Sequence, residues 1–320
     1  MMLYSVIIPC YRSDQTIEHV VDLTREEIKK LDRGEVEFVL VNDCSPDGGR
    51  TIEKLKEMAA AHKDVKVIDL AANSGQHNAL MAALRHADGD VIIGMDDDGQ
   101  THPSQLSKLL EALDQGYDLV YGYYPEKKHN WFRNLGSRFN DLTVNMMIKK
   151  PKDVRTSSYF VVRKFVRDYA IEYTGSYTYL LGLFMRCTQN IASVPVQHFD
   201  REVGESGYTL KQLIRLWSSI IGFSVIPLRV ASITGFFFFF LGILAASAIV
   251  VRNFIDPTLS MGWPSIMCAI SFFFGLNFMF LGMIGEYLGR MFLGMNKEPQ
   301  YVIRATYNVR PYKEEKEGLL

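Results

Sequence analysis

Val91-Ile92-Ile93-Gly94-Met95-Asp96-Asp97-Asp98-Gly99-Gln100 is an apolar run that stops abruptly at three consecutive carboxylates. A short run of apolar, β-branched residues closed by a turn describes a buried parallel strand, and the carboxyl ends of such strands are where open α/β sheets bind ligands. Asp96 and Asp98 are two apart, so in an extended segment their side chains leave on one face, placed to share a divalent cation or to divide between a cation and a ribose. Asp97 is the middle residue and is expected to be dispensable. An isolated Asp-x-Asp is also compatible with a solvated acidic loop, so the segments around it decide its meaning.

Upstream, the pattern alternates. Tyr4 to Pro9 predicts a strand, and Ile17, Val20, Val21, Ile28 and Leu31 at helical spacing predict the helix after it. Val36 to Val41 predicts a second strand, which runs into a turn-rich segment from Asn42 to Gly49 with Asp43 at its start. A helix over Thr51 to His62, a strand over Val65 to Leu70 and a helix leading from Asn73-Ser74-Gly75-Gln76-His77 to His86 follow. The expectation is an α/β fold, a doubly wound, mostly parallel sheet with Pro9, Asp43, Asn73 and Asp96 along one edge. Taken singly, Asp43 also suits an Asx-turn. The layout is that of a nucleotide site, yet neither G-x-G-x-x-G nor G-x-x-x-x-G-K-[ST] follows the first strand. A phosphate then needs another neutralising group, and a metal held by Asp96 and Asp98 meets that need. His77, His86 and His102 lack ligand spacing and are expected to be structural.

Downstream, a helix over Gln105 to Asp114 and a strand over Asp118 to Tyr121 precede a basic segment containing Lys127, Lys128, His129, Arg133 and Arg138. Trp131 to Ser137 is helical in spacing and sets Arg133 and Ser137 one turn apart, an arrangement suited to a phosphate as well as to a solvated basic face. His198 to Tyr208 is a polar, glycine-bearing loop. Then come 22 uncharged residues at 230–251 and 23 more at 263–285, each enough to cross roughly 30 Å of hydrocarbon. Arg229 before the first, and Arg290, Lys297, Arg304 and Arg310 after the second, predict a multi-pass inner-membrane protein with both termini and the α/β domain in the cytosol. Expected domains are a cytosolic α/β region at 1–208, an interfacial amphipathic segment at 209–229, the spans at 230–251 and 263–285 with a short external loop, and a cytosolic tail at 286–320. Glu286 and Arg290 are one turn apart, suited to pairing at the membrane edge.

The balance of the 320 residues excludes some classes. With 35 basic and 36 acidic residues the net charge is −1, so no basic field argues for nucleic acid. Cys10, Cys44, Cys187 and Cys268 show no paired spacing of the kind zinc sites or disulfide frameworks need. No positively charged leader precedes the first apolar run, so the N-terminus is expected to stay in the cytosol.

Together, Ser5 to Tyr11, Val41 to Ser45, Asn73 to His77, Asp96 to Gln100, Trp131 to Ser137, Arg201 to Ser206 and Gly285 to Arg290 resemble, in this order and over nearly the whole chain, the polyisoprenyl-phosphate glycosyltransferases within the inverting, GT-A type family 2 glycosyltransferases. The resemblance implies that Pro9, Tyr11, Asp43, Asn73, Gln76 and Asp96 bind the nucleotide, and that Asp96, Asp98 and Gln100 hold Mg2+ or Mn2+. It implies that Arg133, Ser137 and Arg201 grip the acceptor phosphate, with Asp98, Arg133 and Arg201 as the catalytic set. The partners it implies are a nucleotide-sugar donor, UDP-linked by expectation, an undecaprenyl or dolichyl phosphate acceptor, the bilayer, and further copies of the chain in a tetramer. The pattern departs from the family at Arg12-Ser13, where Asn-Glu is usual, and at Ser157 and Ser158, where many relatives carry an acid. Asp153 is then the nearest carboxylate, and an Arg usual after the strand at Val120 is replaced at best by Lys127 or Lys128. Two other functions remain open: a processive polysaccharide synthase, whose Gln-x-x-Arg-Trp pattern Gln212 to Trp217 misses by one residue, and an inactive membrane scaffold.

Overall fold

The computed structural model describes residues 2–125, 154–175, 178–197, 199, 262–295 and 299–309, with helical positions 233–235, 237–238, 240, 244 and 247. The chain divides into two units, one of residues 1–214 and 299–320, the other of 215–298.

The first unit begins with β1 (Met2–Cys10), α1 (Ile17–Leu31), β2 (Gly34–Asn42), α2 (Arg50–Ala61), β3 (Val65–Leu70), α3 (Gln76–His86) and β4 (Val91–Gly94). It continues through α4 (Leu106–Asp114), β5 (Leu119–Tyr123), β6 (Phe160–Arg163), α5 (Lys164–Ala170), α6 (Leu180–Cys187) and β7 (Ile191–Pro195), and ends with β8 (Ile303–Tyr307). The strands form one sheet in the order β7-β5-β6-β4-β1-β2-β3-β8. Its centre, β4-β1-β2-β3, is parallel throughout, which brings the ends of these four strands to one edge. The flanks are not: β6 runs antiparallel between β4 and β5, and β8 runs antiparallel to β3. The sheet is therefore mixed but, as the strand–helix alternation of the first half predicted, mostly parallel: only β6 and β8 run against the other six strands. Periodicity reports a strand's exposed and buried sides, but not its direction in the sheet.

Period-two alternation builds a layer on each side of the sheet. Val6, Ile8 and Cys10 of β1 and Phe38 and Leu40 of β2 are buried on one face with Ile17, Val20, Val21 and Ile28 of α1, Leu55 of α2 and Leu109 of α4. The intervening Ile7, Val39, Val41 and Ile92 point the other way and are equally buried; on that side α3 packs across β1 and β2. Each such aliphatic side chain contributes about 1.5–3 kcal/mol by leaving water. α1 begins where the Ser13 carbonyl accepts from the Thr16 and Ile17 N–H groups at 3.1 Å, and it stops at Asp32, whose left-handed φ of 47° closes the last turn. Gly94 ends β4 for a steric reason: a Cβ there would lie 2.2 Å from the Phe160 ring of the neighbouring β6.

β8 is an addition to the expected tail. Its side chains alternate between intermediate and exposed, it pairs with β3 from Val67↔Tyr307 to Leu70↔Ile303, and the pairing shifts at Asp69/Leu70. Asn308 anchors its end, donating from Nδ2 to the Ala59 and Val65 carbonyls at 2.5 and 3.0 Å.

In the second unit, α7 (Trp263–Met295) is a single helix of 33 residues. The Phe238 ring meets Phe273 edge-on at 6.1 Å between centroids. Among the described residues no helix is long and apolar enough to cross a membrane; the side chains at 263–265, 267–268 and 271–272 lie outside that set. The expected Glu286–Arg290 pair and the interfacial segment at 209–229 also fall outside it.

Candidate functional site

The four parallel strand ends converge as loops held to one another by carboxylates. Asp43, directly after β2, is buried. Its Oδ1 accepts from the Ser74 N–H at 2.6 Å and its Oδ2 from the Gly75 N–H at 2.9 Å. Asn73 returns the contact, donating from Nδ2 to the Asp43 carbonyl at 3.2 Å. Gly75 holds φ +83°, a conformation that favours glycine and turns the chain into α3. Burial raises the pKa of Asp43, and the two backbone donors work against that rise. Asp43 thus shapes the loop after β3, a task wider than the Asx-turn it suits by sequence.

Asp96 follows β4 and bridges two elements. Gln76, at the start of α3, donates from Nε2 to Asp96 Oδ1 at 2.9 Å. The Ser158 hydroxyl donates to Asp96 Oδ2. Of the two serines at which the resemblance leads one to expect an acid, Ser158 is therefore a donor to the acid triplet, while the Ser157 hydroxyl donates to the Gly122 carbonyl. Asp98 Oδ1 accepts from the Gln100 N–H at 3.0 Å, and the Gln100 carbonyl accepts from the Tyr124 hydroxyl at 3.3 Å. Burial, then the negative charges of Asp96 and Asp98, push the Tyr124 phenol well above its ordinary pKa. Both carboxylates therefore act on the same point.

Asp97 is where the structure corrects the sequence. Its Oδ2 accepts from the Tyr11 N–H at 3.0 Å and from the Ser13 hydroxyl, while its carbonyl accepts from Thr16 Oγ1 at 2.6 Å. Burial raises its pKa, the Ser13 and Tyr11 donors oppose the rise, and Asp98 adds to it. The middle residue of the triplet is thus the latch between the β4 and β1 loops. The signal was partial: in an extended segment Asp97 faces opposite to Asp96 and Asp98, but that the β1 loop lies there is decided by the structure. Ser13 and Thr16, the other halves of the latch, resemble ordinary residues at a helix start and carry no separate signal.

Pro9 and Tyr11 lie at the end of β1, Tyr11 with its ring exposed. The structure thus brings together Pro9, Tyr11, Asp43, Asn73, Gln76, Asp96, Asp98 and Gln100. Arg133, Ser137, Arg201, Lys127, Lys128 and Asp153 lie outside the described residues. Two of the three histidines have local hydrogen-bond partners. His86 Nδ1 lies 2.8 Å from the Ala82 carbonyl, and His102 Nδ1 lies 2.9 Å from Ser104 Oγ with its ring stacked on Phe199. His77 meets the Tyr179 ring edge-on at 5.3 Å, and burial lowers its pKa to about 4.

The pattern of glycosyl transferase family 2 matches residues 5–169, from the first strand through α5. The chain belongs to glycosyl transferase family 2. This family 2 glycosyltransferase is 32% identical over 324 residues to the undecaprenyl-phosphate 4-deoxy-4-formamido-L-arabinose transferase of Edwardsiella ictaluri, covering 98% of this chain and 97% of that one. The protein of the same name from Proteus mirabilis is 29% identical over 323 residues, with 98% and 97% covered. Among solved structures, glucosyl-3-phosphoglycerate synthase from Mycobacterium tuberculosis is similar at 20% identity and a TM-score of 0.46, over 69% of this chain and 79% of that one.

In the glycosyltransferase, the loop oxygens are the kind that hard divalent cations take. Among the described residues no group of three or more His, Cys, Asp or Glu side chains forms a metal cage. Two carboxylates, Asp96 and Asp98, fit the other common arrangement, in which substrate phosphates and water complete the coordination of Mg2+ or Mn2+.

Proposed function

We propose that the protein is a membrane-bound, inverting glycosyltransferase that moves one sugar from a nucleotide sugar, UDP-linked in the first instance, to a polyprenyl phosphate. The observation that carries this is the meeting of Asp43, Gln76, Asp96, Asp98 and Ser158 at four strand ends. The acceptor rests on the names of relatives that match over nearly the full length of both chains. Pro9, Tyr11, Asp43 and Asn73 bind the nucleoside side of the donor. Asp96 and Asp98, with Gln100 beside them, hold the divalent cation, which when bound offsets charge on the departing diphosphate. Arg133, Ser137 and Arg201 take the acceptor phosphate and offset its repulsion by the donor.

An acceptor phosphate oxygen forms a bond to the anomeric carbon as the bond to the diphosphate breaks, and the nucleoside diphosphate leaves with the electron pair. The second ionisation of a phosphate monoester lies near pH ~6, so at neutral pH this nucleophile carries its own charge. A serine at 158 in place of a carboxylate is compatible with that chemistry, because no proton has to be removed at attack. The protein's part is to hold two anions in line.

The membrane half of the proposal is two spans at 230–251 and 263–285, preceded by an interfacial segment at 209–229, with both termini cytosolic. The second span lies wholly within α7, and its described side chains Ile270, Phe274 and Phe278 are exposed. Assembly as a tetramer completes the reading by resemblance and is checked by mass measurement in detergent. The deciding experiment incubates membranes containing the protein with radiolabelled nucleotide sugars and undecaprenyl or dolichyl phosphate and then extracts lipid. A lipid carrying one sugar is expected. A polymer would instead point to a processive synthase, and no transfer from any donor to an inactive scaffold.

A further inference from the structure

The last strand of the sheet reaches the candidate donor site through a continuous series of hydrogen bonds. Arg304, on β8, donates from Nη1 to Asp69 Oδ2 at 3.2 Å and from Nη2 to the Ala71 carbonyl at 3.1 Å. Asp69 Oδ1 accepts from Asn42 Nδ2 at 2.7 Å. Asn42 Oδ1 accepts from the Ser45 N–H at 3.2 Å and the Ser45 hydroxyl at 2.7 Å. Ser45 Oγ in turn accepts from the Arg12 N–H at 3.2 Å. Arg12 adjoins Tyr11 and Ser13, the two residues that latch onto Asp97.

The direction of these bonds matters. From Arg12 through Ser45 and Asn42, every donor points toward the Asp69 carboxylate, so the bonds polarise one another in one sense. Arg304 meets that carboxylate from the opposite side and supplies its counter-charge. The Asp69 side chain is only 5% exposed, so its charge is costly without a cation, whereas the Arg304 side chain is 54% exposed and reaches it from the sheet edge. The strand shift between Asp69 and Leu70 occurs at this point, as bulges beside sites do when they re-aim a side chain. At the far end, Arg12 and Cys44 hold left-handed φ of 60° and 50°. Non-glycine residues keep that conformation when their surroundings over-determine it.

We infer that Arg304 is a positioning residue for the donor site, setting the loop of residues 11–13 through Asp69, Asn42 and Ser45. The inference rests on the donor lying where the proposed function puts it. It makes the segment that follows α7 in the chain part of the transfer machinery, where the sequence suggested a tail.

The test uses the full chain in detergent and compares wild type, Arg304→Ala, Arg304→Lys, Ser45→Ala and Thr306→Ala. Thr306 is an exposed position on the same strand outside the series, and Ser45→Ala cuts the series at its far end with β8 untouched. Hydrogen–deuterium exchange over residues 10–16 and 42–48 is read first, followed by titration with UDP and Mn2+. Arg304→Ala and Ser45→Ala are expected to exchange faster over residues 10–16 and to weaken UDP by roughly three- to tenfold. Arg304→Lys restores part of both, and Thr306→Ala changes neither. Wild-type exchange over 10–16 in Arg304→Ala, or an equal change in Thr306→Ala, overturns the inference. Failure of wild type to bind UDP overturns the donor assignment instead, and the exchange data still decide whether Arg304 sets the loop.

Discussion

The two edges of the central sheet treat buried charge in opposite ways. At the amino edge, Glu37 of β2 accepts from the Ser5 hydroxyl and the Asp88 N–H on one oxygen, and its other oxygen lies 2.7 Å from Lys66 Nζ. Lys66 also meets Asp88 at 2.7 Å. Burial works against the Lys66 charge, but Asp88 and Glu37 more than offset it, so its pKa is raised. At the carboxyl edge, Asp43 is buried and Asp97 half-buried against N–H and hydroxyl donors, and among the described residues neither has an ion pair. One edge is a strut braced by a largely buried cation. The other keeps negative charge in a rigid frame, as a site must if a cation and a diphosphate are to complete it.

Removing a carboxylate that the proposal places on the cation should break the second edge most completely. Asp98→Ala is expected to lower transfer by at least about 10²-fold while melting like wild type; near wild-type turnover in the radiolabel assay would remove Asp98 from the site. The strut responds in the reverse sense. Lys66→Met leaves Glu37 facing Asp88 and is expected to lower stability by about 3–5 kcal/mol in denaturant titration, with donor affinity unchanged in the molecules that remain folded. If donor affinity fell as well, the two edges would be coupled rather than distinct.

Asp97 separates holding a loop from holding a ligand. Asp97→Ala is expected to lower stability by about 1–3 kcal/mol through the stranded Tyr11 and Ser13 donors and to weaken the donor. Asp97→Asn, which keeps an acceptor for Tyr11, should do much less. Its raised pKa fixes the sign: stability carried by Asp97 falls as pH rises from the ordinary carboxylate value through the raised one, so Asn should flatten that part of the profile.

A separate effect, confined to acid pH, concerns His77. The unfolded imidazole takes its proton near 6.5 and the folded one near 4, so stability is complete above pH 6.5 and declines as pH falls toward 4. Melting curves of His77→Gln should lose that acid slope; an unchanged slope would place it elsewhere.

Much of this was legible in the chain. The strand–helix alternation through β4, the convergence of Pro9, Asp43, Asn73 and Asp96, and the structural character of His86 and His102 all follow from local periodicity and turn chemistry. The resemblance to family 2 was carried separately, by the order of its motifs along the chain, and the match over residues 5–169 and the full-length relatives bear it out. The function of Asp97 and the existence of β8 did not follow. Ile303 to Tyr307 is five residues of weak alternation after a long apolar helix, and without its partner β3 it resembles any short polar tail.

What the sequence by itself determined is where backbone turns and which side of each element is apolar, because those depend on neighbours a few residues away. What only the tertiary structure decided is which donor meets which acceptor. Asp97 finds Tyr11 and Ser13 across 86 and 84 residues, and Arg304 finds Asp69 across 235. A carboxylate's role is set by the groups that satisfy its oxygens, and at such separations the pairing exists only once the sheet has assembled.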